Sequence, residues 1–106
     1  MKIRVSKSTL SESYIFYTND KKREHVLVNT KPVNFSAERF NFLITNIVRG
    51  WPNELTEPSI LDGLEYRISI REKGKEENYV FKNKFPEDIF RLEMALDMVL
   101  EAGYER

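Results

Sequence analysis

The sequence predicts a single α+β domain, an antiparallel sheet of about five strands with two helices packed on one face. Residues 2–6 and 64–71 alternate polar and apolar side chains, the period of a strand with one covered face. Residues 36–50 and 86–102 repeat their apolar positions every three or four residues, the period of a helix lying on a core. The 106 residues hold neither a low-complexity stretch nor a Gly/Ser linker, so one domain accounts for the whole chain.

In chain order, Ile3 and Val5 give the first strand its apolar face, and residues 13–18 (SYIFYT) form a second strand that is apolar on both faces. A turn at Asn19-Asp20-Lys21-Lys22 leads to a third strand at 24–30 (EHVLVNT), which closes a hairpin. Ser36 is suited to cap the first helix, with Phe35 and Phe40 in staple positions on either side. Ala37, Phe40, Leu43, Ile44, Ile47 and Val48 share its core-facing arc, Gly50 closes it and Pro52 blocks its continuation. Residues 51–63 read as a long connection that packs down through Trp51, Leu55, Ile60 and Leu61. The fourth strand, 64–71, turns Leu64, Tyr66, Ile68 and Ile70 to one side, and a turn at Gly74 leads to the fifth at 77–82. Pro86 opens the second helix, with Glu87 and Asp88 in its first turn, and Gly103 closes it after Ala102. The predicted order is β-β-β-α-β-β-α.

Composition narrows the function classes. There is no cysteine, so disulfides and thiolate metal sites are excluded, and His25 is the single histidine. The chain lacks the short signatures of zinc proteases, serine hydrolases, phosphate-binding loops and dinucleotide folds. No enzymatic activity and no cofactor are therefore expected. The N-terminal run MKIRVSKSTL has no apolar core of a signal peptide, and no apolar stretch approaches the roughly 20 residues of a membrane span, so a cytoplasmic protein is expected. Net charge is zero, which argues against a general polyanion binder. The charge is uneven, however. Residues 1–53 carry nine Lys and Arg against four Asp and Glu, and residues 54–106 carry eight against thirteen.

The second helix holds the leading candidate site. Ile89, Leu92, Leu96, Val99 and Leu100 form its core stripe, and Phe90, Met94 and Met98 form a second apolar stripe on a largely opposite face. Glu93, Asp97 and Glu101 interleave with that second stripe at four-residue spacing. Like charges so placed repel by a few tenths of a kcal/mol per pair and do not serve helix stability. Large apolar groups rimmed by carboxylates suit contact with a basic, partly apolar partner. The competing expectation is that the first helix or the 51–63 connection covers the stripe, methionine being a good filler of irregular gaps.

The open face of the sheet is the alternative, with Arg4, Arg67, Arg71 and Lys82 pointing outward beside either Tyr14 and Phe16 or Ile15 and Tyr17. Basic and aromatic groups on an open sheet can neutralise phosphates and stack bases. Glu65 shares that face, and nucleic acid ranks behind a protein partner. A third reading places a small-molecule pocket between the sheet and Trp51.

From Trp51 onward the chain carries a recognisable run: Ile60-Leu61-Asp62-Gly63, then Leu64-Glu65-Tyr66-Arg67-Ile68-Ser69-Ile70, a Gly-Lys turn, Tyr79, and Asn83-Lys84-Phe85-Pro86 entering a helix. This pattern, over residues 51–100, resembles one found in small bacterial α+β proteins, some similar to immunity proteins of toxin–immunity systems. The resemblance implies a cytoplasmic protein that neutralises a cognate toxin by binding it and covering its active site. It carries over no individual binding residue. The partner expected is a basic toxin domain, met at Phe90, Glu93, Met94, Asp97, Met98 and Glu101 by a monomer or homodimer of this chain.

Overall fold

The computed structural model describes residues 1–19, 24–59 and 63–106. Among the described residues, seven strands and two helices follow in the order β1 (Lys2–Ser8), β2 (Ser13–Tyr17), β3 (His25–Val28), β4 (Lys31–Ser36), α1 (Ala37–Ile47), β5 (Glu54–Thr56), β6 (Glu65–Glu72), β7 (Lys75–Lys82) and α2 (Phe90–Glu101). They build one sheet ordered β4-β3-β2-β1-β6-β7-β5. The class is α+β, as the alternating strands and periodic helices predict. Two strands more than expected are present, and the sheet is mixed because β5 runs parallel to β7.

The first added strand is β4, six residues between the predicted third strand at 24–30 and the first helix, of which Phe35 and Ser36 read as helix staple and cap. Asn29 and Thr30, at φ 49° and 72°, make a two-residue turn that pairs Val28 with Lys31. Positive φ at both central residues is the primed geometry that tight hairpins require. Val33 and Phe35 point into the core from β4. Asn29 is well suited to its position, and its Oδ1 also accepts the Ile15 N–H at 2.8 Å. Thr30 is not suited, because a β-branched side chain crowds the backbone at positive φ. Thr30→Gly is therefore expected to stabilise the fold by about 0.5–1 kcal/mol. The check is the midpoint of urea unfolding, which should rise at an unchanged slope.

The second added strand, β5, lies within the 51–63 connection. Asn53 O accepts the Val80 N–H at 2.8 Å, Asn53 Nδ2 donates to Asn78 O at 2.9 Å, and the Glu57 N–H donates to Lys82 O at 2.9 Å. Leu55 packs against the core as expected, whereas Ile60 and Leu61, and the hairpin tip at Asp20-Lys21-Lys22, lie outside the described residues. Trp51 meets the Phe81 ring edge-on at 5.5 Å, and its indole N–H donates to Asp88 Oδ1 at 2.8 Å. That bond ties the end of α1 to the approach of α2.

Ser36 caps α1 as expected, its hydroxyl accepting the Arg39 N–H at 3.2 Å. The second helix begins at Phe90 rather than Pro86. Residues 87–89 form a separate tight turn, with Ile89 N–H donating to Pro86 O at 3.1 Å and Arg91 N–H to Asp88 O at 3.0 Å. The Asp88 carboxylate is engaged by the Trp51 indole and by Arg91, which leaves α2 without a side-chain cap. Gly103, at φ 80°, ends the helix, and the chain then returns to β4. Asn34 N–H donates to Gly103 O and Glu105 N–H to Pro32 O, so the outer edge of β4 is covered by the tail.

Both helices pack on one face of the sheet. Ile3, Val5, Phe16, Tyr66, Ile68 and Phe81 meet Phe40, Ile44, Leu92, Leu96 and Val99 in one core cluster. The opposite face, bearing Arg4, Arg67 and Arg71, is left open.

Candidate protein-binding site

On α2 the core stripe is as read from the sequence. Leu92, Leu96 and Val99 are buried, and Ile89 and Leu100 pack against them from the margins. The second stripe is not covered by α1 or by the 51–59 segment. Phe90 is 57 % exposed, Met94 61 % and Met98 38 %. Asp97 and Glu101 are exposed beside them, and Glu93 is half-buried on the flank.

Sequence reading missed Phe42. It projects from the outer side of α1, two residues from the buried Phe40, and is 69 % exposed. Phe42 on α1 and Phe90, Met94 and Met98 on α2 are all exposed, and the two helices pack against each other. The three at four-residue spacing on α2 exceed the singly scattered apolar residues of an ordinary monomer surface. The available signal was that Phe42 falls outside the arc of Phe40, Ile44 and Ile47.

The open sheet face brings some of its predicted residues together and separates others. Of the two aromatic arrangements, Ile15 and Tyr17 face outward, since Phe16 is buried and stacks with Tyr14 and Phe40. Arg4 stands opposite Tyr17 on one side and Ser69 on the other. Two shallow depressions of about 330 and 280 Å³ adjoin at Arg4 and Ser69. Arg67 and Arg71 flank this centre, but each is held by a carboxylate. Arg67 Nε donates to Glu65, and Arg71 Nη2 donates to Glu76 Oε1 at 3.2 Å. The Ser69 hydroxyl and then Arg71 hold the Glu76 carboxyl below its usual range. Lys82 sits at the far end of the face, paired across strands with Glu65 and away from Arg4. The face is thus largely self-neutralised.

The pocket expected beside Trp51 is not formed by that residue. A cleft of about 420 Å³ opens next to it, between the end of α1 and the β6–β7 hairpin, with Val48, Ile70 and Tyr79 as floor and Arg49, Glu72, Lys75 and Glu77 as rim. Tyr79 donates its O–H to Glu77 Oε2 at 2.9 Å. His25 pairs with Glu105 of the tail. Among the described residues no cluster of His, Cys, Asp and Glu is arranged to hold a metal ion, and no helix is long and apolar enough to cross a membrane.

Two phenols give the fold an alkaline limit. Burial, then the hydrogen bond to Glu77 and its charge, pushes Tyr79 up to about 12. Burial, then the charges of Glu93 and Asp97, raises Tyr66 further. In the unfolded chain both ionise near pH 10. The folded state therefore holds these protons more tightly, and its advantage is complete below pH 10 and is lost as pH rises beyond it. Unfolding free energy should stay level to about pH 9.5 and then fall through pH 12. Tyr79→Phe should make that decline shallower in denaturation curves taken at each pH.

No family model matches the chain, and neither does any curated protein or solved structure.

Proposed function

We propose that this chain is a protein-binding module that neutralises a cognate toxin, meeting it with the outward surface of α2. The observation that carries this reading is the uncovered stripe of Phe90, Met94 and Met98, interleaved with Asp97 and Glu101 and flanked by Glu93. Isolating such apolar groups from water on complex formation contributes affinity, and aromatic and methionine side chains are enriched in interface centres. The carboxylates select a basic partner and speed its approach. The resemblance of residues 51–100 to immunity-like proteins points to a toxin domain as that partner. Phe42 extends the same layer and is proposed as part of the contact.

The test starts from the tagged chain expressed in its source cells. A stoichiometric, basic protein should elute with it. Asp97→Lys combined with Glu101→Lys should weaken that complex at least tenfold, and unchanged affinity would overturn this choice of interface.

A nucleic-acid reading draws on Arg4, Tyr17 and the adjoining depressions. It is weaker because Glu65 and Glu76 occupy Arg67 and Arg71. Oligonucleotide titrations at low salt that show no binding to either single strands or duplex would remove it.

A further inference from the structure

The cleft of about 420 Å³ between the end of α1 and the β6–β7 hairpin includes no residue of α2 and has no part in the proposed toxin contact. Its volume is in the range of small-molecule sites. Val48, Ile70 and Tyr79, each largely buried, line it with apolar surface. Four charged side chains stand around them, Arg49 from the end of α1 and Glu72, Lys75 and Glu77 from the hairpin. Among the described residues these four form no ion pair with one another. Elsewhere on the surface neighbouring opposite charges do close, Glu65 with Arg67, Arg71 with Glu76 and Asp88 with Arg91. Glu77 is also held in place. The Tyr79 hydroxyl, on a side chain 7 % exposed, donates to its Oε2 at 2.9 Å, which fixes one carboxylate oxygen and leaves Oε1 to accept from a ligand.

We propose that this cleft binds a free α-amino acid with an apolar side chain, its carboxylate on Arg49, its ammonium on Glu77 and its side chain over Val48 and Ile70. A guanidinium and a carboxylate that line one cleft without meeting leave a gap that a zwitterion closes at both ends. A ligand of one charge sign would cover the opposite rim without pairing it, and a desolvated, unpaired charge is costly. Arg49 suits the carboxylate because its planar fork can donate two parallel hydrogen bonds, whereas Lys75 is a compact point charge. Glu77 suits the ammonium because the Tyr79 hydroxyl already orders its carboxylate, so less freedom is lost on binding. The apolar floor then favours a large apolar side chain over a hydrogen.

The experiment titrates L-phenylalanine into the intact chain and follows residue-resolved NMR shifts, with glycine, 2-phenylethylamine and 3-phenylpropionate as partial ligands. Phenylalanine should shift Arg49, Gly50, Lys75 and Glu77 together and saturate with a dissociation constant of about 1 mM, as suits a ligand of this size. Each partial ligand lacks one of the three groups and should bind about tenfold more weakly. Arg49→Gln should weaken phenylalanine about tenfold and leave 2-phenylethylamine unaffected, because the amine has no carboxylate to lose. Glu77→Gln should weaken phenylalanine to the same extent and leave 3-phenylpropionate unaffected. Both side chains are exposed, so both variants should keep the melting temperature of the parent within about 2 °C. Shifts that fail to saturate by about 20 mM phenylalanine, that map to another surface, or that a partial ligand produces with equal affinity would overturn the proposal. So would undiminished phenylalanine binding by either variant. Asp97→Lys with Glu101→Lys should bind phenylalanine as the parent does, so the cleft and the α2 interface stand or fall separately.

Discussion

Replacing Thr18 by valine is expected to destabilise the fold by about 2–3 kcal/mol. Thr18 is 1 % exposed at the end of β2, where the chain leaves the β1–β2 ladder. Its backbone N–H donates to Ile3 O at 2.9 Å. Its hydroxyl accepts the Ile3 N–H at 3.0 Å and donates to Asn41 Oδ1 of α1 at 2.7 Å. One oxygen thus completes the strand pair and fastens it to the helix layer. Valine keeps the shape but leaves the Ile3 N–H buried without an acceptor, and an unpaired buried donor costs its full desolvation. In a domain of this size the melting temperature should fall by roughly 10 °C. Thr18→Ser retains both hydrogen bonds and loses a methyl, for about 1 kcal/mol. Equal losses for valine and serine in urea unfolding would show that packing of the methyl, and not the hydroxyl bridge, holds this corner. Asn41→Ala should cost less than Thr18→Val, because Asn41 is half-buried and water can replace its partner. The double variant should lose less than the sum of the two, since both act on one bridge.

That bridge also marks where the sequence stops being legible. Thr18 reads as an ordinary strand-end residue, and nothing local announces that Asn41, 23 positions later, is its partner. The elements recovered from sequence are those with a period. The alternation of Leu64, Tyr66, Ile68 and Ile70 and the arc from Ala37 to Val48 each announce a face that must be covered. The elements missed lack either a period or a turn residue. In β5 a single apolar side chain, Leu55, lies between Pro52 and Pro58, too little to show alternation. The turn before β4 uses Asn29-Thr30 where a glycine would have signalled a hairpin, and Phe35 had a sufficient reading as a helix staple. The start of α2 was placed four residues early because Pro86, Glu87 and Asp88 all favour a first turn, whereas Trp51 draws the Asp88 carboxylate into a tertiary bond. The apolar stripe of α2 could be named from its spacing, but its exposure depends on how far α1 reaches around the core, which only the packing decides. Phe42 lies outside the core arc of α1 by its spacing, but how exposed it is depends on the same packing.

Reversing Asp97 and Glu101 to lysine is expected to weaken binding of a basic partner at least tenfold, while the melting temperature moves by no more than about 2 °C. Both residues are exposed on the outward side of α2, so neither holds the core. Glu93, Asp97 and Glu101 repel one another at four-residue spacing, and Glu101 lies at the negative end of the helix dipole. Lysine at both sites relieves the repulsion and complements that end of the helix, so fold stability should hold or rise slightly. Association responds in the opposite sense. Two carboxylates that attracted the partner become two cations that repel it, and like charges across an interface oppose both encounter and docking. The association rate of the parent chain should fall with added salt, whereas that of the variant should rise, because screening then removes repulsion in place of attraction. Phe90→Ala tests the apolar half of the same surface. It should raise the dissociation rate and leave the salt dependence alone, since the lost contact forms only after docking. A variant pair in which both changes act on one rate, or in which the lysine substitutions unfold the chain, would show that α2 serves the fold and that the partner is met elsewhere.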